Sequence, residues 1–123
     1  MDRTKAPDIK AIEHFDYVKV SDDRLENGIP FYSIPRQEQE VIKLECVFKA
    51  GSANQSKPLV AKAVGELMKE GTATYSSEEI AAQIEQRGAL LDISVKADAL
   101  SLTLYTLADQ LIHLLPALQS ILT

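Results

Sequence analysis

Metal-binding and redox side chains are scarce in this 123-residue sequence, which has one cysteine and two histidines. A single cysteine excludes a disulfide framework, a paired redox site and a cysteine-rich zinc module. A zinc site needs about three or four histidine, cysteine or carboxylate ligands at local spacing, and neither His14 nor His113 has such neighbours. We therefore expect Cys46 and both histidines to be structural residues, and we expect no bound metal or other cofactor.

Basic charge and long apolar runs are also missing. The chain has 13 Lys and Arg against 18 Asp and Glu, a formal net charge of -5, and so lacks the basic stripe that binds a nucleic-acid backbone. No apolar run approaches the roughly 20 residues of a membrane-spanning helix, and residues 1–7 lack the apolar core of a signal peptide. The five glycines lie singly, which excludes a glycine-rich phosphate loop. We expect a cytoplasmic protein that binds neither nucleic acid nor membranes.

Hydrophobic periodicity predicts a hairpin followed by an alternation of strands and helices. Asn27-Gly28 predicts the hairpin turn, because both residues tolerate positive φ. Residues of alternating polarity predict strands, and a 3.6-residue apolar period predicts helices. The strands cover about 41–50, 90–95 and 100–107, and the helices cover about 58–70, 76–87 and 109 onward. This order predicts an α+β fold with a largely antiparallel sheet and helices packed on one face.

Residues 1–20 are polar and read as an N-terminal arm, and residues 21–123 read as the start of one domain. The last helix is still apolar at Thr123, so we expect a domain truncated there. In helix 58–70 the apolar positions are expected to face the core, while Lys62 and Glu66 form a surface pair one turn apart. Those apolar residues are Leu59, Val60, Ala63, Val64, Leu67 and Met68.

Several short motifs, taken in order, resemble those of the pitrilysin/insulinase family of zinc peptidases, which includes the mitochondrial processing peptidase. The matching stretches are Leu25–Gly28 (L-x-N-G), Ala50–Ser52 (A-G-S at a strand end), Gly71-Thr72 (G-T at a helix end) and Gly88-Ala89, which opens a strand with the family pattern G-A/G-x-x-N-A-x-T. The resemblance covers about residues 20–123. It implies the N-terminal portion of a peptidase-like metallohydrolase domain.

The family's zinc motif, H-x-x-E-H, would fall at residues 62–66 when counted back from Gly71-Thr72. In active members the two histidines bind zinc and the glutamate is the general base. Here Lys62, Gly65 and Glu66 stand at those three positions. The resemblance therefore implies a non-catalytic homologue that has no catalytic residue and binds no zinc.

Such homologues pair with an active peptidase subunit and help to enclose or hold its peptide substrate. The resemblance thus implies a heterodimer with an active zinc peptidase homologue, or self-association. In active members the peptide adds as a strand beside the N-A positions, which predicts peptide contacts at Asp92, Ile93 and Ser94, with Asp92 replacing the family's asparagine. Two alternatives remain: a stand-alone peptide-binding or scaffolding protein of this fold, and a zinc-dependent peptidase with an atypical metal site.

Overall fold

A computed structural model describes residues 14–15, 17–35 and 39–123, and the chain divides into two units, Met1–Gln37 and Glu38–Thr123. Most of the predicted arm at 1–20 lies outside the described residues. The first unit contains an antiparallel hairpin of β1 (Ser21–Arg24) and β2 (Pro30–Ser33). Its turn is the predicted one, since Gly28 has a φ of 83° and the Asn27 side chain accepts the Ile29 N–H at 3.1 Å.

The second unit is a three-stranded antiparallel sheet with three α-helices. Its elements, in chain order, are β3 (Val41–Phe48), α1 (Val60–Leu67), α2 (Ser77–Glu85), β4 (Leu90–Val95), β5 (Leu100–Leu107) and α3 (Leu111–Leu122). Strand β5 lies in the centre, with β3 and β4 on either side. The predicted α+β class is confirmed, and so are the bounds of β4 and β5. All three helices are shorter than predicted.

The hydrophobic core lies between one face of the sheet and helices α2 and α3. Its side chains come from β4, β5 and both helices: Ile80, Ile84, Leu91, Leu102, Leu104, Leu114, Leu118 and Ile121. Each fully buried side chain of this kind contributes about 1.5–3 kcal/mol to folding. This shared core fixes β4 against its neighbours.

Helix α2 begins with the capping box that the sequence predicted. Ser76 is the N-cap, and its hydroxyl accepts the Glu79 N–H at 3.2 Å, while the Glu79 carboxylate accepts the Ser76 N–H at 2.8 Å. The carboxylate also accepts the Ser76 hydroxyl at 3.0 Å, and the hydrogen bonds from the Ser76 N–H and hydroxyl lower the pKa of Glu79 below its usual value. Two of the free N–H groups at the start of the helix are thereby satisfied.

Of the predicted apolar stripe of α1, only Met68 packs against the core among the described residues, so the prediction is wrong for the rest of the stripe. Leu59 is 71% exposed and Leu67 is 63% exposed, while the buried residues of the helix are Ala61 and Gly65. Small side chains allow the backbone of α1 to approach the sheet closely. The larger residues on the same helix consequently face outward. No helix in residues 14–15, 17–35 and 39–123 is long and apolar enough to cross a membrane.

Candidate functional site

Helix α1 packs on β4, and an open cavity of about 400 Å³ lies between them. We call it the α1–β4 cavity. It is lined by Ser52, Gln55, Leu59, Lys62, Gly65, Glu66, Ile93 and Val95. The structure therefore brings together Ile93 and the three positions that the resemblance assigns to the zinc motif. Asp92 and Ser94, the other two predicted contact residues, do not line it.

The resemblance places Gly65 at the family's general base, and a side chain there would meet Val95 of β4. A Cβ atom on Gly65 would lie 2.6 Å from Val95 Cγ2 and 3.8 Å from Ile93 Cγ2. The first distance is far shorter than the roughly 3.5–4.0 Å at which carbon atoms attract. A carboxylate at residue 65 would therefore require Val95 to change its rotamer or α1 and β4 to move apart.

Lys62 and Glu66 form an ion pair at the cavity rim. Their charged atoms are 3.7 Å apart, and both side chains are 69% exposed. An exposed pair of this kind adds little stability. One carboxylate beside an ammonium group does not fit a zinc ion, which needs several neutral or anionic ligands. Across the part of the chain that the structure describes, no three His, Cys, Asp or Glu residues come together.

The remaining sequence candidates are not among the residues that line this cavity. His113 is an exposed residue of α3, and His14 precedes the hairpin. Cys46 is half-buried in β3, and burial raises the pKa of its thiol. A raised pKa disfavours the reactive thiolate.

Strand β4 forms one edge of the sheet and pairs, in the described residues, only with β5. The Lys96 N–H donates to the Ala99 carbonyl at 2.8 Å where the hairpin closes, so this is a hydrogen-bonded pair. Hydrogen-bonded and non-hydrogen-bonded pairs alternate along an antiparallel ladder. In this register the main-chain groups of Asp92 and Ser94 therefore form hydrogen bonds with β5. The residues whose main-chain N–H and C=O groups point away from the sheet are Leu91, Ile93 and Val95.

The three predicted peptide contacts are therefore divided between two environments. Side chains alternate across a strand, so Asp92 and Ser94 share the face opposite the one bearing Ile93. Ile93 combines a main chain on the open edge with a side chain that lines the cavity. Val95 has the same arrangement, and sequence analysis missed it, although it stands at the threonine of the family's strand pattern.

The segment before α1 is held by the β4–β5 hairpin. Ser52 N–H donates to the Lys96 carbonyl at 2.9 Å, and Ala53 N–H donates to the Ala97 carbonyl at 2.8 Å. A Cβ on Gly51 would overlap the backbone of Ala97 and Ala99. The A-G-S motif thus has a structural role, because only glycine allows this contact.

The start of α1 is shaped by two residues that sequence analysis missed. Leu59 precedes the helix in a left-handed conformation, with φ 71° and ψ -6°, and it provides no side-chain cap. Gln55 caps the helix instead, since its Oε1 accepts the Ala61 N–H at 3.1 Å. No periodic pattern marks either role.

The turn after α1 is fastened to α3 by hydroxyl groups. The Thr72 hydroxyl accepts hydrogen bonds from Ser120 Oγ at 2.7 Å and from the Tyr75 N–H at 3.0 Å. Ser120 Oγ also lies 2.6 Å from the Thr74 hydroxyl. The threonine of the G-T motif therefore connects this turn to a helix almost fifty residues away.

Comparison with known proteins identifies the fold. No protein-family model matches the chain, and no curated protein matches it. Solved structures do match. The "peptidase M16 inactive domain" of Pseudomonas fluorescens superposes with a TM-score of 0.78 and 23% identity over 84% of this chain and 26% of that one.

Two further structures agree with this result. A protease from Helicobacter pylori gives a TM-score of 0.77 and 22% identity, covering 85% of this chain and 26% of that one. The ferredoxin protease FusC, solved as a mutant in complex with Arabidopsis ferredoxin, gives 0.72 and 21% identity, covering 98% and 16%. The chain spans about a quarter or less of these solved chains. It has the fold of part of a pitrilysin-type (M16) peptidase domain, as predicted.

Proposed function

We propose that this chain is the N-terminal portion of a non-catalytic pitrilysin-family subunit, which pairs with an active homologous peptidase and helps to hold its peptide substrate. The observation that carries this proposal is the close contact between Gly65 and Val95. Residue 65 is a glycine packed against that valine, so the position at which the family's chemistry requires a general base carries no side chain. The fold likeness to a domain named as inactive supports the same conclusion.

Loss of zinc binding follows from the same helix. Lys62 places a positive charge where the first histidine ligand would lie, and Glu66 alone is too small a ligand set. Without a metal-bound water and a base, peptide hydrolysis has neither its nucleophile nor its proton acceptor. The contribution of this subunit to proteolysis is then binding.

The open edge of β4 provides a means of holding peptide. Unpaired main-chain groups at a sheet edge can accept an extended segment as an additional strand. Here those groups belong to Leu91, Ile93 and Val95, beside the α1–β4 cavity. A peptide bound there would lie where substrate lies in active relatives.

The test is co-expression of the full-length gene product with a homologue that retains an intact H-x-x-E-H motif. We expect the two to co-purify, and we expect hydrolysis of a fluorogenic peptide to require the homologue's motif. Removing this subunit should raise KM for that peptide more than it lowers kcat. An alanine variant of the homologue's motif glutamate is the control, because it should abolish turnover while leaving assembly intact.

Two results would contradict the proposal in different ways. Recovery of a stable protein that binds labelled peptide but no homologue would favour a stand-alone peptide-binding or scaffolding protein. Stoichiometric zinc and peptide hydrolysis by the purified protein alone would establish a peptidase with an atypical metal site.

A further inference from the structure

The turn of the β1–β2 hairpin contains the single Asn-Gly pair of the sequence, at residues 27–28. The Gly28 N–H donates to the Leu25 carbonyl at 2.8 Å, and the Leu25 N–H donates to the Ile29 carbonyl at 2.9 Å. Together with the positive φ of Gly28, these bonds form a three-residue loop that ends in a left-handed glycine. Every residue of the turn is exposed, so water reaches its main chain.

The Asn27 side chain is directed toward the main chain that follows it. Its Oδ1 accepts the Ile29 N–H at 3.1 Å, which holds the carboxamide on the side where the Gly28 nitrogen lies. An N–H donor stabilises the negative charge that develops on a carbonyl oxygen when a nucleophile adds to the carbon. The Asn27 Cγ atom is therefore a polarised electrophile close to a main-chain nitrogen.

The Gly28 nitrogen is uncrowded, and one hydrogen bond restrains it. Among the described residues, nothing beyond its chain neighbours lies within 4 Å of the position that a Cβ on Gly28 would take. An amide that donates a hydrogen bond does not lose its proton until that bond opens. Release of the Leu25 carbonyl therefore makes this nitrogen available as a nucleophile.

The opening of this turn has a low free-energy cost. Strands β1 and β2 have four residues each, all but one of them exposed, and exposed main-chain hydrogen bonds open readily. The Arg24 guanidinium adds one further restraint, since it donates to the Gly28 carbonyl at 3.1 Å. Arg24 thus holds the residue whose nitrogen must move.

We propose that Asn27-Gly28 is a self-modification site, at which the Gly28 nitrogen attacks Asn27 Cγ once its hydrogen bond to Leu25 has opened. The new N–Cγ bond replaces the Cγ–Nδ2 bond, and ammonia leaves with the Gly28 amide proton, which produces a cyclic imide. Water then opens the imide at either carbonyl carbon and gives aspartate or isoaspartate at residue 27. Water is the only co-reactant, and the peptide-holding role proposed above is not involved.

The two products differ in their effect on the hairpin. Aspartate keeps an oxygen that accepts the Ile29 N–H, so the turn is retained with one additional negative charge. Isoaspartate adds a carbon atom to the main chain of the loop. Because loop length fixes the register of a hairpin, this product disturbs the pairing of β1 with β2.

The test is incubation of the purified chain in neutral buffer, followed by trypsin digestion and mass spectrometry. We expect a one-dalton gain at Asn27, and we expect a purified isoaspartyl methyltransferase to label the isoaspartyl product with a methyl group from S-adenosylmethionine. Asn54 is the internal control, since the side chain of Gln55 crowds the nitrogen that would attack it. It should react about tenfold more slowly than Asn27 or less.

Arg24→Ala tests whether the turn controls the rate. Loss of its hydrogen bond to Gly28 should speed the modification of the folded chain about threefold. Lys19→Ala is the matched control, because it removes one exposed positive charge outside the hairpin and should leave the rate unchanged. In urea that unfolds the chain, the parent and both variants should react at one common rate, faster than the folded parent.

Two results would overturn the site itself: no mass gain at Asn27 in urea, or a gain at Asn54 as fast as that at Asn27. Two others would overturn control by the Leu25 hydrogen bond. These are equal rates for the folded and the unfolded parent, and an Arg24→Ala rate no faster than that of Lys19→Ala.

Discussion

Gly65 of α1 lies so close to Val95 of β4 that one methyl group on the glycine would be 2.6 Å from the valine Cγ2 atom. The contact sets the distance between helix and strand, and therefore the width of the cavity beside them. It also means that the absence of a side chain at residue 65 and the packing of Val95 are linked. The two residues should be energetically coupled.

We predict that the effect of Gly65→Ala on the free energy of unfolding changes sign when Val95 is replaced by alanine. In the parent protein the added methyl group should cost about 1–3 kcal/mol by overpacking. In a Val95→Ala background the same substitution should stabilise the protein by about 1 kcal/mol, because alanine is the better helix former and the space is free. Urea denaturation of the four variants measures both values. A Gly65→Ala protein more stable than the parent would contradict the contact.

Restoring the zinc motif alone should fail. The variant Lys62→His, Gly65→Glu, Glu66→His should unfold at a lower temperature than the parent, because a glutamate side chain at 65 meets Val95. Adding Ile93→Ala and Val95→Ala should recover much of that loss. Thermal unfolding by circular dichroism provides the measurement.

The control for that series is Lys62→His with Glu66→His and Gly65 retained. Both positions are 69% exposed, and substitutions at such sites usually change stability by less than about 0.5 kcal/mol. A triple variant as stable as this double variant would contradict the prediction. It would show that Val95 and β4 shift at little cost, and that residue 65 accepts a glutamate without changes in the strand.

Gly51→Ala should destabilise the protein more than Gly88→Ala. Gly51 has an ordinary φ of -75° but faces the backbone of the β4–β5 hairpin, so alanine there introduces a clash with atoms that cannot rotate away. Gly88 has a φ of 62° with open space around it, so alanine there adds only backbone strain of about 1–2 kcal/mol. Equal losses of unfolding free energy in the two variants would contradict the steric role of Gly51.

The capping box of α2 should give stability that depends on pH. The pKa of Glu79 is lowered in the folded protein by hydrogen bonds from Ser76, so the unfolded chain binds the proton more readily. This contribution is fully present above the ordinary glutamate pKa of about 4.3 and is lost as the pH falls through the lower folded value.

Thermal unfolding of the parent and of Glu79→Gln, followed from about pH 7 to about pH 3, measures this contribution. The two curves should differ most at neutral pH and converge in acid, since glutamine keeps one cap hydrogen bond but does not titrate. A constant difference at every pH would show that Glu79 does not titrate as the cap geometry requires.

Local signals predicted the elements whose formation depends on neighbouring residues. The alternating polarity of 90–95 and 100–107 gave both strands with their observed bounds, and the S-S-E-E sequence at residues 76–79 gave a helix start. These features depend on period and spacing, which a sequence records directly.

The orientation of α1 depends on how closely its backbone approaches β4, and hydrophobic periodicity does not record that distance. The larger apolar residues indicated one buried face, yet the helix buries Ala61 and Gly65 instead, because small residues permit the closest approach to β4. Leu59 could not be recognised either, since nothing in its type or position indicates positive φ. The division of Asp92 and Ile93 between bonded and open main-chain groups required the hairpin register.

The outward orientation of α1 also bears on how the isolated chain behaves in concentrated solution. Val60, Val64 and Leu67 all lie exposed on this one helix, and contiguous apolar patches promote self-association. Replacing Val64 with lysine should therefore raise solubility while leaving the thermal midpoint nearly unchanged. The exposed face of α1 should thus limit how much of the isolated chain stays in solution.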